Sequence, residues 1–177
     1  MSAGRRSAII VPVPEAAPIV DAWRLRYTSD APAGVPAHIT VLFPFVPAAR
    51  LDRAIEEQLE ALLRPQRAFE FALATTARFA ATVYLEPEPP EPFVRLTDLI
   101  ATAYPDHPPY EGAFDAVVPH LTVAQSEDEA LLKRIAADVE AKLPVRARVS
   151  AASLIEEGPD GRWRERFPLP FRGTAPP

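Results

Sequence analysis

The 177-residue chain contains no cysteine, which excludes thiolate nucleophiles, thiolate-bound metals and disulfide staples. Long hydrophobic runs are missing too, since no apolar stretch approaches the roughly 18–20 residues that span a bilayer. The nearest thing to a leader is Arg5-Arg6 followed by Ala8-Ile9-Ile10-Val11. Pro12, Pro14 and Glu15 cut it short, so it reads as a strand and not as a secretion signal. These absences point to a cytoplasmic protein without a membrane anchor. Surplus positive charge is lacking as well: 19 Lys and Arg against 24 Asp and Glu leave a net −5. That excludes a broad positive field for gripping long nucleic acid, while leaving room for a local site for one phosphate. Histidine is scarce, with three in the chain, and none has the His-x-x-x-His or Glu-flanked spacing of a zinc site. No metal or cofactor is expected.

What is present is an ordinary globular composition, 48% hydrophobic and 24% charged, with 22 prolines. A chain of this length buries roughly 70% of its unfolded surface and needs no staples. The prolines gather at Glu86-Pro87-Glu88-Pro89-Pro90-Glu91-Pro92, at His107-Pro108-Pro109 and at Ala175-Pro176-Pro177. They read as rigid connections and a frayed end, because proline cannot supply a ladder donor.

Periodicity places the elements. Residues 7–13 form a first strand. Ile19, Val20, Trp23 and Tyr27 recur at helical spacing over 15–27, with Pro18 in the first turn, where it is tolerated. A loop over 31–37 follows. Leu51, Ile55, Leu59 and Leu62 predict the buried stripe of an amphipathic helix that Pro65 ends. Phe69, Phe71 and Leu73 alternate as a strand, and 82–85 form another. Phe93, Leu96, Ile100 and Tyr104 mark a helix opened by the acidic proline segment. Ser126 and Glu129 read as a capping box for a helix burying Leu131, Ile135 and Val139. Two closing strands are expected, over 145–155 and 162–169, with Gly158-Pro159-Asp160-Gly161 as the turn between them.

Two stretches stand apart: Ala37-His38-Ile39-Thr40-Val41 and Pro119-His120-Leu121-Thr122-Val123. Each is a His-x-Thr within a largely β-branched apolar run, the signature of a strand. Side chains alternate across a strand, so His38 shares a face with Thr40, and His120 with Thr122, while the aliphatic residues face the other way. A histidine gives or takes a proton near neutrality. Two of them on opposite sides of a phosphate divide the work: one removes a proton from the attacking group, and the other protonates the departing oxygen. Thr40 and Thr122 supply hydroxyl donors for the phosphoryl oxygens. Tyr84, Tyr110 and His107 are weaker candidates for substrate contacts. Arg146, Arg148, Arg162, Arg164 and Arg166 read first as a solvated face that discourages edge pairing, and second as a phosphate-steering wall.

With both motifs about eighty residues apart on strands of a small α+β chain, the sequence resembles the two-histidine (2H) phosphoesterases. The likeness is strongest to their bacterial 2'-5' RNA ligase-like branch, from Thr82-Val83-Tyr84-Leu85 through to Val123-Ala124. It runs from about Ser7 to Phe171. It implies a bilobal α+β fold, with two pseudo-symmetric antiparallel sheets forming a central cleft and helices packed on the outer faces. It implies one such domain over 1–172, with 173–177 a disordered tail. It also implies metal-free chemistry on RNA ends or small cyclic nucleotides: opening of 2',3'-cyclic phosphates and, in some members, reversible 2'-5' joining. Carried over, His38 and His120 are the acid–base pair, and Thr40 and Thr122 hold the phosphate. A monomer is expected. The competing readings are a binder that holds a nucleotide or RNA end in the same cleft without turnover, and a scaffold with an incidental cleft.

Overall fold

A computed structural model describes residues 4–113 and 116–174. In chain order, β1 (Ser7–Pro12) leads through a short 3-10 turn into α1 (Ala17–Tyr27) and β2 (His38–Leu42). Then come α2 (Arg53–Leu63), β3 (Phe69–Phe79), β4 (Thr82–Glu88), α3 (Glu91–Ala103) and β5 (Leu121–Gln125). α4 (Glu129–Glu140), β6 (Val145–Val149), β7 (Ala151–Glu157) and β8 (Trp163–Pro170) complete the described α-helices and strands. The strands form two four-stranded sheets, ordered β2-β1-β7-β8 and β5-β4-β3-β6, and every pairing is antiparallel. This is the expected α+β architecture. Each motif strand occupies the edge of its own sheet, and the two edges meet.

The helices tie the halves together by exchange. α1 connects two strands of the first sheet yet packs on β5 of the second; α3 connects two strands of the second yet packs on β2 of the first. Each motif strand is thus backed by the other half's crossover helix. α2 covers β8, and α4 covers β3 and β4. One continuous apolar core results, running from Ile9, Val11 and Ile39 to Leu85, Leu121 and Ile135, all at 0% exposure. Phe93 sits between Phe69 and Phe71 with edge-on ring centroids at 5.2 and 5.0 Å, the geometry that aromatic quadrupoles favour.

Several local expectations are corrected. The 145–155 strand is two strands in different sheets, handed over at Ser150. β6 alternates buried and exposed residues, whereas β7 lies between β1 and β8 and is buried on both faces through most of its length. β4 does not stop at Leu85 but runs into the proline segment to Glu88. β5 has ended by then, so Pro87 lacks a donor only where the strand is already an edge. α2 buries Leu59 and Leu63, with Leu51 buried just before it, while Ile55 and Leu62 are half-buried. In α4 the buried stripe starts at Leu132 and not at Leu131. Its N-cap is Asp128, whose carboxylate accepts from the Leu131 N–H at 3.0 Å. Ser126 accepts from the Asp128 N–H instead, and Glu129 turns to Arg78. Past β8 the N–H groups of Arg172 and Gly173 donate to the carbonyls of Arg64 and Gln66. Of the expected tail, 175–177 lie outside the described residues.

Candidate active site

The two motif strands share one architecture. In both, the residues His-x-Thr-x-x run half-buried, buried, half-buried, buried, buried: His38 to Leu42 in one, His120 to Ala124 in the other. Strict alternation fails at the same place in each, because each strand carries one extra residue there. Ile10 pairs with Thr40 but Ile9 with Leu42, so Val41 is extra; Tyr84 pairs with Thr122 but Val83 with Ala124, so Val123 is extra. Such bulges bend an edge strand and re-aim its side chains. The second strand is assigned from Leu121, which leaves His120 just ahead of it.

The bulge in β2 has a dedicated support. The buried Thr97 hydroxyl of α3 donates to the carbonyl of Val41 at 2.8 Å. We expect Thr97→Val, which keeps the shape and removes the donor, to leave that carbonyl unsatisfied. The cost is about 1–3 kcal/mol of stability, read in a urea unfolding titration. An unchanged midpoint would show that the bulge stands without Thr97.

Both imidazoles are held alike. Nδ1 of His38 lies 2.8 Å from the carbonyl of Pro36, and Nδ1 of His120 lies 2.7 Å from that of Val118. A carbonyl only accepts, so Nδ1 carries the hydrogen in each ring and Nε2 is left for a substrate. The surroundings then differ. His38 is 15% exposed, and burial pulls its pKa below the ordinary 6.5 of an imidazole, favouring the neutral ring at pH 7. The Pro36 carbonyl and the Asp30 carboxylate, 4.0 Å away, act in the opposite sense, while Arg24 and His120 add to the lowering. Burial raises the pKa of Asp30, but the Thr28 hydroxyl, Arg24 and His38 outweigh it, so its carboxylate stays ionised. Arg24 is 2% exposed and reaches Asp30 and the Val35 carbonyl, each at 3.1 Å, as well as Asp21 at 3.3 Å.

Removing the Asp30 charge takes away one of the influences that stabilise the imidazolium. Asp30→Asn should therefore move the His38 titration further down the pH scale, as followed by NMR of the ring protons. A titration that stays put or rises would contradict the assignment of Asp30 as the neighbouring charge.

His38 and Thr40 line a cavity of about 440 Å³ on the exposed face of the first sheet. Its floor is a second apolar cluster of Ala8, Ile10, Val35 and Ile155, with Phe43 and Trp163 against it at a ring separation of 6.3 Å. The Arg6 guanidinium stands over both rings, 5.8 and 5.6 Å from their centroids, and is gripped in two bonds by Glu157. Gly34 lets the covering loop approach: at φ 103° it adopts a backbone that other residues avoid, and a Cβ there would sit 3.0 Å from the Trp163 carbonyl.

His120 and Thr122 do not line this cavity. Thr122 stands on the second sheet's edge strand, which meets β2, and His120 just ahead of it is close enough for its charge to act on His38. By register, Tyr84 is the counterpart of Ile10, each lying opposite a motif threonine. Tyr84 was expected as a substrate contact, but it is buried. Its ring packs against the His120 ring at 5.4 Å and is covered by Phe79, stacked at 4.2 Å. Phe79, which carries no motif in the sequence, is the exposed ring there.

The remaining candidates fall at different distances from the motifs. Tyr110 adjoins the cavity wall, since its N–H donates to the carbonyl of Phe43 at 2.7 Å. His107 does not join the motif residues: it packs on Phe45 and lines a separate groove with Leu51, Asp52 and Tyr104. Of the arginines, Arg164 pairs with Asp160, Arg166 with Glu56 and Glu156, and Arg148 lies 3.8 Å from Glu70. Arg146 and Arg148 are exposed on β6, away from the cavity. The solvated-face reading fits Arg146, Arg148 and Arg164 better than a phosphate wall, whereas Arg166 is half-buried and ties Glu56, Glu156 and the Leu51 carbonyl together.

The chain belongs to the 2H phosphoesterase superfamily. The family model of the 2'-5' RNA ligase superfamily matches residues 12–161, and the chain belongs to that superfamily. Its fold is similar to that of TT0787 from Thermus thermophilus, with a TM-score of 0.66 and 21% identity over 96% of this chain and 100% of that one. It is also similar to E. coli LigT in its apo form, with a TM-score of 0.59 and 19% identity over 96% and 99% of the two chains. LigT complexed with 3'-AMP gives a TM-score of 0.55 at 19% identity, over 94% and 96%. A search of curated proteins finds no match. No described helix is long and apolar enough to cross a membrane, and the described residues contain no cluster of three or more candidate metal ligands.

Proposed function

We propose that the protein is a phosphodiesterase acting on RNA ends or small nucleotides, that it opens 2',3'-cyclic phosphates, and that His38 and His120 are its acid–base pair. The observation that carries this is the duplicated device itself. Two edge strands meet, each with the same bulge, the same burial sequence and the same Nδ1 bond to the carbonyl two residues back. Structural upkeep alone gives no reason for a strand to repeat all three.

In hydrolysis a water oxygen bonds to phosphorus while one phosphorus–ribose oxygen bond breaks. The water's proton passes to Nε2 of the neutral imidazole, and the departing ribose oxygen takes a proton from the other ring, which must start as imidazolium. With a 5'-hydroxyl in place of water as the attacking group, the same two proton transfers break the phosphorus–3' oxygen bond and leave a 2'-5' linkage, so joining needs no further group. Thr40 and Thr122 donate to the phosphoryl oxygens that gain charge. The first-lobe cavity has two rings and an apolar floor but only one guanidinium, already held by Glu157, which suits a neutral base more than a run of phosphates. Structures of LigT with 3'-AMP, ATP and NADP+ agree with a nucleotide-sized ligand.

The reading is tested by following 2',3'-cyclic mononucleotides by phosphorus NMR. A new monoester signal is expected, and its position on the ribose tells which oxygen left. Saturable binding without any monoester would favour the non-catalytic binder instead.

A further inference from the structure

The two motif copies share a strand, a bulge and an Nδ1 bond, and they part in what stands behind each ring. Behind His120 are the Phe79 and Tyr84 rings, edge-on with centroids at 5.4 Å. Behind His38 is a carboxylate. Asp30 Oδ2 lies 4.0 Å from Nδ1 of His38 and accepts from the Arg24 guanidinium at 3.1 Å, while Oδ1 accepts from the Ala31 N–H at 2.8 Å. Arg24 is buried and also bonded to Asp21 and the Val35 carbonyl, so it holds Asp30 in place. One loop brings these groups together: residues 28–37 leave α1 and return to β2, carrying Asp30, Val35 and the Pro36 carbonyl that grips the ring. The other charged groups of the cavity, Arg6 and Glu157, are paired with each other. Besides Asp30 and Arg24, the charge that reaches His38 is that of His120, from across the seam. Among the described residues no carboxylate stands within 4.0 Å of His120.

We propose that Asp30 is a positioning residue for His38 alone: a counter-charge, held by Arg24, that supports the imidazolium whenever that ring carries both protons during turnover. This rests on the proposed function and deepens it. A ring that moves a proton at Nε2 is positively charged either before it gives that proton or after it takes one. The charge is shared over both nitrogens, so a carboxylate 4.0 Å from Nδ1 favours the charged state from the side opposite the transfer. A carboxylate already bonded to a guanidinium attracts less strongly than a free one, which leaves the ring able to release its proton. His120, faced by rings, has no such support. The pair thus consists of one charge-backed and one ring-backed imidazole, and the two limbs of its pH–rate profile answer to different surroundings.

The test follows kcat/KM for a 2',3'-cyclic mononucleotide across pH in wild type, Asp30→Asn and Asp21→Asn, with NMR titration of the ring protons in the same three proteins. Asp21 also pairs with Arg24, at 3.3 Å, but its charge is not among those that reach His38, so it controls for a loosened guanidinium. Loss of the carboxylate disfavours the imidazolium. In Asp30→Asn one limb should therefore move to lower pH, by the same interval as the His38 titration, while the other limb holds. The acidic limb moves if His38 takes the proton, and the alkaline limb if it gives one. Asp21→Asn should move neither. Movement of both limbs, of neither, or an equal movement in Asp21→Asn would overturn the proposal. A loss carried by KM with both limbs in place would also overturn it, making Asp30 a substrate contact. If wild type turns over no cyclic mononucleotide, the phosphodiesterase reading fails, and the ring titrations then decide alone. A His38 titration that falls in Asp30→Asn and holds in Asp21→Asn supports the counter-charge, and one that holds in both refutes it.

Discussion

Replacing either His38 or His120 with Ala should lower kcat/KM on a 2',3'-cyclic mononucleotide by about 10²–10⁴-fold, with the unfolding midpoint nearly unchanged. The size follows from what each ring does: it moves one proton in the transition state, and water must do the job poorly in its absence. Both side chains are half-buried at the seam, and their fixed bond is a single Nδ1–H to a local carbonyl. Their loss therefore costs the fold little. The double variant should be hardly worse than the worse single one, because the two groups serve one event. Near-normal turnover in either single variant would remove that residue from the pair.

The second large effect concerns a residue outside the motifs. Arg24→Met should destabilise the protein by about 2–4 kcal/mol, below the usual figure for a broken buried pair. The reduction reflects its partners: Asp30 and Asp21 have 33% and 47% exposed side chains and regain water when the guanidinium is gone. The Val35 carbonyl, by contrast, loses a donor in a buried place. Asp30 and Val35 both line the cavity, so the loop over 28–37 should loosen and activity should fall with stability. A thermal midpoint lowered by roughly 4–16 °C is the expected reading. A midpoint within experimental error of wild type would show that Arg24 is not what holds the loop.

How much of this was legible depends on whether a feature is local. The motif strands could be read because His38 and Thr40, or His120 and Thr122, alternate with aliphatic residues, and alternation is a property of the strand alone. Their bulges left a trace as well: Val41-Leu42 and Val123-Ala124 break the alternation at equal distances from each histidine. Arg24 could not be picked out. Near the end of an amphipathic helix it reads as a surface cation, and only a loop folding back with Asp30 and Val35 buries it. Phe79 was hidden for the opposite reason. It lies beyond the alternation of Phe69, Phe71 and Leu73, and its exposure is decided by the hairpin end and by Tyr84 stacked against it. The exchange of α1 and α3 between the halves leaves no mark in sequence, since an apolar stripe looks the same whichever sheet it covers. The break at Ser150 was missed because β6 and β7 abut with no glycine or proline to part them.

The central claim is that two imidazoles, without a metal, transfer the protons at one phosphate. Its most direct test is hydrolysis of a 2',3'-cyclic mononucleotide by the wild-type protein in excess EDTA, run beside His38→Ala and His120→Ala. The account predicts full wild-type turnover in EDTA, a single monoester product, and collapse in both variants. Turnover that EDTA abolishes and a divalent cation restores, or turnover indifferent to both substitutions, would contradict it.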